Sequence, residues 1–355
     1  MRVKLKDVCE KATSNLKQSD ILSIGGTYPV YGASGYLGNI DSYHQDKPYI
    51  AVVKDGAGIG RTAILPPKSS VIGTMQYLIP KENVMPEYLY YVVKHMRLQK
   101  YYTGATIPHI YFKDYQNEEF NLADSIRQRE IVKVFKNVED TIRYQEIEIN
   151  KFDELIKARF IEMFGDPVAD TRNWGQTLLK EHLESIKYGT STPPIFTDDG
   201  YAFIRATNIK NGKIITNDMK YIPQEEADRL EKCKLSGGEI IIVRSGVNAG
   251  DTCIVTDEYI GQYAGYDMIL VLSSDLHPVF FNTLINTEYM DKVVKPLTRR
   301  AAQPHLNSEQ TQRLPIIEVP FELQEQFADF VKQVDKSRFD IKKSIIELER
   351  EVVYD

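Results

Sequence analysis

The sequence has few of the features that mark secreted, membrane or metal-binding proteins. Only 3 of its 355 residues are cysteine, Cys9, Cys233 and Cys253, and their spacing fits neither a disulfide framework nor a metal site. No apolar run approaches the roughly 18 to 20 residues that a membrane helix needs, and the N-terminus lacks the apolar core of a signal peptide. We therefore expect three ordinary, partly buried thiols in a cytoplasmic protein.

Excess positive charge is also missing. The net charge of −6 at pH 7 argues against a protein that binds nucleic acid unaided, because phosphate contacts need Lys and Arg. Residues 1–120 hold 14 basic and 11 acidic residues, and residues 166–320 hold 16 and 21. Since neither half is a basic block, any DNA contact must come from local patches or depend on a partner that binds the phosphates.

Recognisable catalytic motifs are absent. The chain has no G-x-x-x-x-G-K-[ST] loop, no G-x-S-x-G and no H-E-x-x-H. The segment Thr192–Phe196 (TPPIF) has the two prolines of a methyltransferase motif without the polar residue before them. We therefore predict no catalytic residue, no bound cofactor and no metal. An enzyme of another class, such as a nuclease with an unrecognised site, is the alternative.

The most informative feature is an internal duplication. The segment from Tyr49 to Leu65, YIAVVKDGAGIGRTAIL, matches the segment from Glu239 to Val255, EIIIVRSGVNAGDTCIV. Each reads as a strand, a basic residue, a G-x-x-x-G turn and a second strand, which predicts a hairpin. DGAGIG resembles a phosphate-binding loop, but its counterpart SGVNAG keeps only the outer glycines. That pattern favours a turn whose glycines have positive φ.

Further matches extend the duplication along the chain. VKLKDVCE from Val3 matches TLLKEHLE from Thr177, and both read as a short strand that runs into a helical turn. TGATIPHIYF from Thr103 matches RRAAQPHLNS from Arg299, which places His109 opposite His305 at an offset of 196 residues. The sequence shows no second ligand at metal-binding spacing for either histidine. We therefore expect hydrogen-bonded histidines, or histidines that reach DNA.

A heptad pattern ends each half. No Gly or Pro interrupts residues 124–164 or 321–355, so each stretch predicts one long helix, with seams of about 37 and 31 residues that span roughly 55 and 46 Å. Polar residues break the seams at Gln145, Arg159 and Arg338, and Gly165 followed by Pro167 ends the first helix. The apolar seam residues, spaced alternately by 4 and 3, are Ile131, Phe135, Val138, Ile142, Ile149, Phe152, Ile156 and Met163, then Phe327, Val331, Val334, Ile341, Ile345, Leu348 and Val352.

A narrow seam requires a partner helix. Pairing between the two copies within one chain predicts antiparallel helices related by a pseudo-twofold axis, with a globular part at each end. The alternative is pairing with a second copy of the chain, or packing of each helix on its own globular part. We expect the domains 1–122, 123–165, 166–320 and 321–355, in which the second and fourth are the helices.

This architecture resembles the specificity subunit of Type I restriction–modification enzymes. The resemblance covers nearly the whole chain and depends on the ordered, repeated set of elements. Its features are the duplicated hairpin, the stretch YAFIRATNIKNGKI (Tyr201–Ile214), the Pro-x-x-x-Gln helix entry PFELQEQFADF (Pro320–Phe330) and the helix exit MFGDP before Trp174. Two features depart from the pattern. The first helix entry, Leu122–Val132, lacks the Pro, and VYGASGYLGNID (Val30–Asp41) replaces the IRATNIKNG stretch.

The resemblance implies a fold and a function. The fold is α/β, with two target-recognition domains separated by a pair of long antiparallel coiled-coil helices. The subunit itself is non-catalytic, and each half reads one part of a bipartite double-stranded DNA target while the helices set the spacer. The resemblance implies two methyltransferase subunits and added restriction subunits as partners, and these partners would carry S-adenosylmethionine, ATP and Mg²⁺. The alternative function is a stand-alone nucleic-acid-binding regulator.

Side chains that read base edges are expected to be polar or basic and to lie on loops. Taken singly, each candidate is equally compatible with an ordinary solvated residue, and the adjacent arginines 299 and 300 are the strongest pair. In the first half the DNA-binding candidates are Lys54, Arg61, Thr106, His109, Tyr111 and Lys113. In the second half they are Arg205, Asn208, Arg244, Asn248, Arg299, Arg300, Gln303 and His305.

Overall fold

The computed structural model describes residues 1–21, 25–56, 58–104, 108–299 and 303–354. The chain divides into two compact units. Unit 1 comprises Met1–Gln145 with Ser344–Asp355, and unit 2 comprises Glu146–Lys343. This division cuts both long helices, so each segment predicted as a separate helical domain contributes to both units. Among the described residues, no helix is long and apolar enough to cross a membrane.

The first half of the chain forms a mixed α/β body. Its helices are α1 (Leu5–Val8), α2 (Pro86–His95) and α3 (Phe112–Tyr115), followed by the long helix α4 (Ser125–Phe164). Its strands are β1 (Arg2–Lys4), β2 (Cys9–Thr13), β3 (Tyr28–Gly32), β4 (Gly35–Ile40), β5 (Tyr49–Val53), β6 (Thr62–Leu65), β7 (Ser70–Val71), β8 (Met75–Pro80) and β9 (Glu119–Asn121).

The second half repeats this inventory with additions. Its helices are α5 (Gln224–Arg229), α6 (Pro278–Ile285), α7 (Lys295–Thr298) and α8 (Ser308–Gln312), then the long helix α9 (Phe321–Tyr354). Its strands are β10 (Gln176–Leu178), β11 (Leu183–Tyr188), β12 (Tyr201–Ile204), β13 (Ile209–Lys210), β14 (Lys213–Ile214), β15 (Lys220–Ile222), β16 (Ile240–Ile242), β17 (Thr252–Ile254), β18 (Tyr263–Ala264), β19 (Met268–Leu272) and β20 (Pro315–Ile317).

The two halves share one strand order. The four-stranded sheet β2-β8-β5-β6 of the first half corresponds to β11-β19-β16-β17 of the second, and β4-β3-β7 corresponds to β15-β12-β18. In each three-stranded sheet the central strand pairs in parallel with the last one. The small pairs β1-β9 and β10-β20 match as well. The predicted duplication is therefore confirmed at the level of topology.

The departure predicted near residues 30–41 is a difference in connection length. In the first half a tight hairpin joins β3 to β4. In the second half β12 is followed by the small hairpin β13-β14 before the chain reaches β15. The stretch YAFIRATNIKNGKI thus contains a strand common to both halves and an insertion that only the second half carries.

The long helices bury the predicted seam. Every seam residue from Ile131 to Leu348 is buried or half-buried, whereas the side chain of Val352 lies outside the described ones. Within unit 2 the helices are antiparallel, because Phe152 lies under the Arg338 guanidinium and Phe160, further along α4, packs against Phe327, which comes earlier in α9. The expected antiparallel pair is confirmed there.

The first long helix buries a wider stripe at its end than the predicted seam. Near the end of α4 the buried positions are Ile156, Phe160 and Phe164, and Met163 is only partly buried. Both phenylalanines also contact Phe280 of α6, so this end of the helix packs on the sheet-and-helix body as well as on α9. A helix with two neighbours buries a wider stripe than a two-helix seam does.

The polar breaks in the seam have partners. Arg338 is 9% exposed and donates from Nη2 to the Asp153 carboxylate at 2.7 Å, which also accepts from Lys213 Nζ at 2.8 Å. In unit 1, Gln145 Nε2 donates to Ser344 Oγ at 3.1 Å. A buried polar group at a seam position fixes the register, because any slip of the helices leaves it unpaired.

A buried glutamine anchors the start of each long helix. Gln324 Oε1 accepts from the His277 backbone N–H at 2.8 Å, and its Nε2 donates to the carbonyls of Asp275 and Val319. Gln128 makes the same contacts with the N–H of Met85 and the carbonyls of Asn83 and Ala123. The glutamine thus ties each helix to the loop before α6 or α2.

The first helix entry replaces the missing Pro with a capping side chain. The Asp124 carboxylate accepts from the backbone N–H groups of Ile126 and Arg127 at 3.0 and 2.9 Å. This contact satisfies two of the N–H groups that a helix start leaves without partners.

We predict that Gln324→Ala lowers the free energy of unfolding by roughly 3 kcal/mol, because a buried N–H and two carbonyls lose their partner. Chemical denaturation of the purified chain measures this. Gln326→Ala, on the exposed face of the same helix, is the matched control and should change stability by less than about 0.5 kcal/mol. An equal loss in both variants would contradict the anchoring role.

Candidate DNA interface

The Gly-rich hairpin of each half is closed by the Pro-His segment. In the first half, Gly56 N–H donates to the Pro108 carbonyl at 3.1 Å and Ile110 N–H donates to the Lys54 carbonyl at 2.9 Å. In the second half, Gly246 donates to Pro304 at 3.1 Å and Leu306 donates to Arg244 at 2.8 Å. Two segments that are far apart in sequence therefore form one loop cluster, and this cluster occurs twice.

The outer glycines have the predicted conformation. The φ angles of Gly56, Gly60, Gly246 and Gly250 lie between +80° and +100°. A Cβ at Gly60 would lie 2.5 Å from Gln99 N, and one at Gly250 would lie 2.7 Å from Val294 Cγ1. The second glycine of each turn is therefore required by close packing as well as by backbone conformation.

The two equivalent histidines each form a hydrogen bond to the hairpin of their own half. His109 Nδ1 lies 2.6 Å from Asp55 Oδ1, and His305 Nδ1 lies 2.8 Å from Ser245 Oγ. The expectation of hydrogen-bonded histidines is confirmed. No sequence pattern indicated a carboxylate near His109, but the fold brings Asp55 to it. No group of three potential metal ligands occurs within the part of the chain that the structure describes.

In the first half, basic and aromatic candidate side chains lie next to one another. The His109 ring stacks on Tyr111 with centroids 6.4 Å apart, and Lys113 Nζ lies 5.3 Å from the centre of the Tyr111 ring. Lys54 Nζ is 3.7 Å from Asp55, and Arg61 Nε donates to the Gly58 carbonyl at 3.2 Å. The structure brings these five candidates to one hairpin and the segment that closes it. Thr106 lies outside the described residues.

The second half presents its candidates on the corresponding loops. The Arg244 guanidinium lies 5.0 Å from the centre of the Tyr188 ring. Asn248 is half-buried, with its Nδ2 facing the Ala206 carbonyl at 3.4 Å, whereas Arg299 and Gln303 are exposed. Arg300 lies outside the described residues.

Two candidate residues of the second half form hydrogen bonds within the fold. Asn208 is fully buried, accepts from Arg205 N–H and donates to the carbonyls of Ile215 and Asn217. Arg205 donates to the Asp218 carboxylate at 3.0 Å, which holds the pKa of that carboxyl below its usual range. Asn208 is therefore buried with its donor and acceptor atoms in use within the fold, and a contact between its amide and a base stays a prediction.

Sequence reasoning missed two features of the second loop cluster. Val247 stands 95% exposed at the hairpin tip. The second feature is a concavity of about 410 Å³, hereafter the Asp267 concavity, whose lining residues include Arg205, Arg244, Tyr266 and Asp267. The sequence signal for it is an acidic residue directly before the apolar strand MILVL, and its significance depends on which loops surround that strand.

Comparison with known proteins places the chain in a family. The family model described as the Type I restriction modification DNA specificity domain matches residues 1–152 and 175–350. The chain is 22% identical over 308 residues to the Type I restriction enzyme MjaVIII specificity subunit of Methanocaldococcus jannaschii, which covers 81% of this chain and 72% of that protein.

Solved structures share the fold. The S subunit of a Type I restriction–modification system from M. genitalium superposes with a TM-score of 0.54 at 14% identity, over 99% of this chain and 93% of that one. A chain from a structural study of assembly and conformational transition of the type I R-M system gives 0.61 at 15% identity, over 99% and 95%. Since the family model covers both halves, the chain belongs to the Type I restriction–modification DNA specificity family, whose members are the non-catalytic, DNA-recognising components of these systems.

Proposed function

We propose that each half of this specificity subunit reads one part of a bipartite DNA target, with an unspecified spacer between the parts. The observation that carries the proposal is the repeated loop cluster. Two hairpins on the same strand order each present basic and polar side chains beside a Pro-His segment. Loops on a rigid scaffold suit recognition, because their side chains vary without disturbing the core.

The long helices are proposed to set the spacer. Helices of 40 and 34 residues have lengths of about 60 and 50 Å at 1.5 Å per residue. One turn of B-DNA is about 34 Å long. An antiparallel pair of this length therefore suits two half-sites that lie in different segments of one duplex.

The remaining chemistry is assigned to partners. A chain with a net charge of −6 neutralises few phosphates, so tight binding needs basic partner subunits along the duplex. We assign that role to methyltransferase subunits, two per complex, with restriction subunits added to them. S-adenosylmethionine, ATP and Mg²⁺ would be bound by those partners. The three buried, unpaired cysteines suit assembly in a reducing cytoplasm.

The first prediction is a two-part methylation motif. Host DNA is sequenced for methyladenine after expression of this gene alone, the methyltransferase gene alone, and both together. We expect a new bipartite motif only when both genes are expressed. Absence of a motif despite a soluble, assembled complex would contradict the proposal and favour a stand-alone regulator.

The second prediction concerns phosphate contacts. Arg299→Ala with Arg300→Ala should weaken DNA binding by the assembled complex, and flatten the dependence of log K on log salt by about one unit per lost contact. The measurement is a binding titration at several salt concentrations.

The matched control for this pair is Arg313→Ala. Arg313 is exposed on the same half but pairs with Glu309 at 2.8 Å, so the salt dependence of DNA binding should not change. An unaltered slope and affinity in the double variant would rule out a phosphate contact by the pair.

The third prediction tests whether the long helices set the length of the spacer. One heptad inserted near Ile149 and another near Ile345 lengthen both helices by about 10 Å, close to the rise of three base pairs. We expect a longer spacer and unchanged half-sites in the methylation motif. Altered half-sites with a fixed spacer would refute the role of the helices.

A further inference from the structure

The Asp267 concavity lies where the loops of the second half converge. Its lining comes from Thr190 and Ser191 after β11, Arg205 to Thr207 after β12, the hairpin residues Arg244 and Ser245, and Tyr266 with Asp267 before β19. These loops surround the hairpin that carries the candidate contacts Arg244 and Asn248. The concavity therefore belongs to the face proposed to meet DNA.

A buried carboxylate lines this concavity. Asp267 is 3% exposed, and its Oδ1 accepts from the Arg244 backbone N–H at 3.1 Å. Its Oδ2 is closed off from solvent and has no hydrogen-bond partner within the described chain. A buried acceptor without a donor is unfavourable, and such groups in native proteins call for an explanation.

The first half shows that the fold does not need this acid. Val52 and Ile242 are equivalent by the hairpin match, and their partners across the sheet are Gln76 and Met268. The residue equivalent to Asp267 is therefore Met75, one position before Gln76. Met75 is 2% exposed and lines a smaller concavity with Arg61 and Tyr31. The same frame thus has an apolar residue in one half and an unsatisfied acceptor in the other.

The backbone beside Asp267 is strained. Tyr266 has a φ of +69°, a conformation that is unfavourable for a bulky residue. Burial raises the pKa of Asp267 to about 6 despite the nearby Arg244 guanidinium. The carboxyl is therefore ionised above that pH and acts only as an acceptor. Strain and an unpaired buried charge at one place are typical of binding sites rather than of structural positions.

We propose that Asp267 determines base specificity in the second half by accepting a hydrogen bond from an exocyclic amino group on the major-groove edge of the DNA. The idea rests on the proposed function of this face. Cytosine N4 and adenine N6 offer such a donor, whereas guanine and thymine present only acceptors at the matching positions. In the free chain Oδ2 is covered, so DNA binding must turn a lining side chain aside, and Arg205 and Arg244 are the long ones available.

The test compares methylation motifs of Asp267→Met and Asp267→Asn with that of the unaltered chain, each expressed with the methyltransferase. Methionine is the residue that the first half carries. We expect Asp267→Met to relax one base pair in one part of the motif, with discrimination there falling roughly tenfold to hundredfold. In Asp267→Asn an amide donor replaces the free acceptor, so the same base pair should shift toward guanine or thymine.

Asp251→Asn is the matched control, because burial also raises the pKa of that carboxyl but Asp251 lies outside the lining. It should leave the motif unchanged. Thermal unfolding shows whether each variant folds. If Asp267→Met does not fold, Asp267→Asn still tests the proposal.

Folded, assembled variants with the original motif would overturn the inference, as would loss of all methylation without relaxed specificity. If the unaltered chain itself yields no bipartite motif, the proposed function fails instead.

Discussion

The structure depends on burial of the narrow apolar seam of each long helix, because a lone helix with such a seam is not stable in water. A 40-residue helix with two apolar positions per heptad gains stability chiefly from packing. In unit 2 the antiparallel partner provides that packing, and the Arg338–Asp153 pair fixes its register. Both halves share this arrangement, since each half ends in one of these helices and anchors it with a buried glutamine.

The two loop clusters are built on this scaffold by pairing segments that are distant in sequence. The Pro-His segment closes the Gly-rich hairpin in both halves through main-chain hydrogen bonds. Because these bonds use no side chains, the residues around them are free to differ. Lys54 and Arg244 are both basic, but Asp55 and Ser245 differ, and so do Met75 and Asp267. One frame thus supports two loop clusters with different side chains.

Predictions that depended on period and on turn chemistry agreed with the structure. The hairpins, the positive φ of the outer glycines and the seam as far as Ile156 all follow from local rules, because they reflect backbone preference and one-dimensional spacing. Predictions that depended on which loops meet were weaker. Asn208 was expected to be an accessible loop residue, but its side chain is buried and hydrogen-bonded within the fold. The packing of Phe160 and Phe164 against α6 was not predicted.

The sequence by itself determined the duplication, the two long helices and the Gly-rich hairpin turns, because these follow from residue spacing, internal repeats and glycine positions. The tertiary structure alone decided that Asp55 meets His109, that Arg205 pairs with Asp218, and that Asp267 is buried with one oxygen unpaired. These outcomes depend on long-range packing, which sets burial and hydrogen-bond partners, and no local pattern in the chain encodes either.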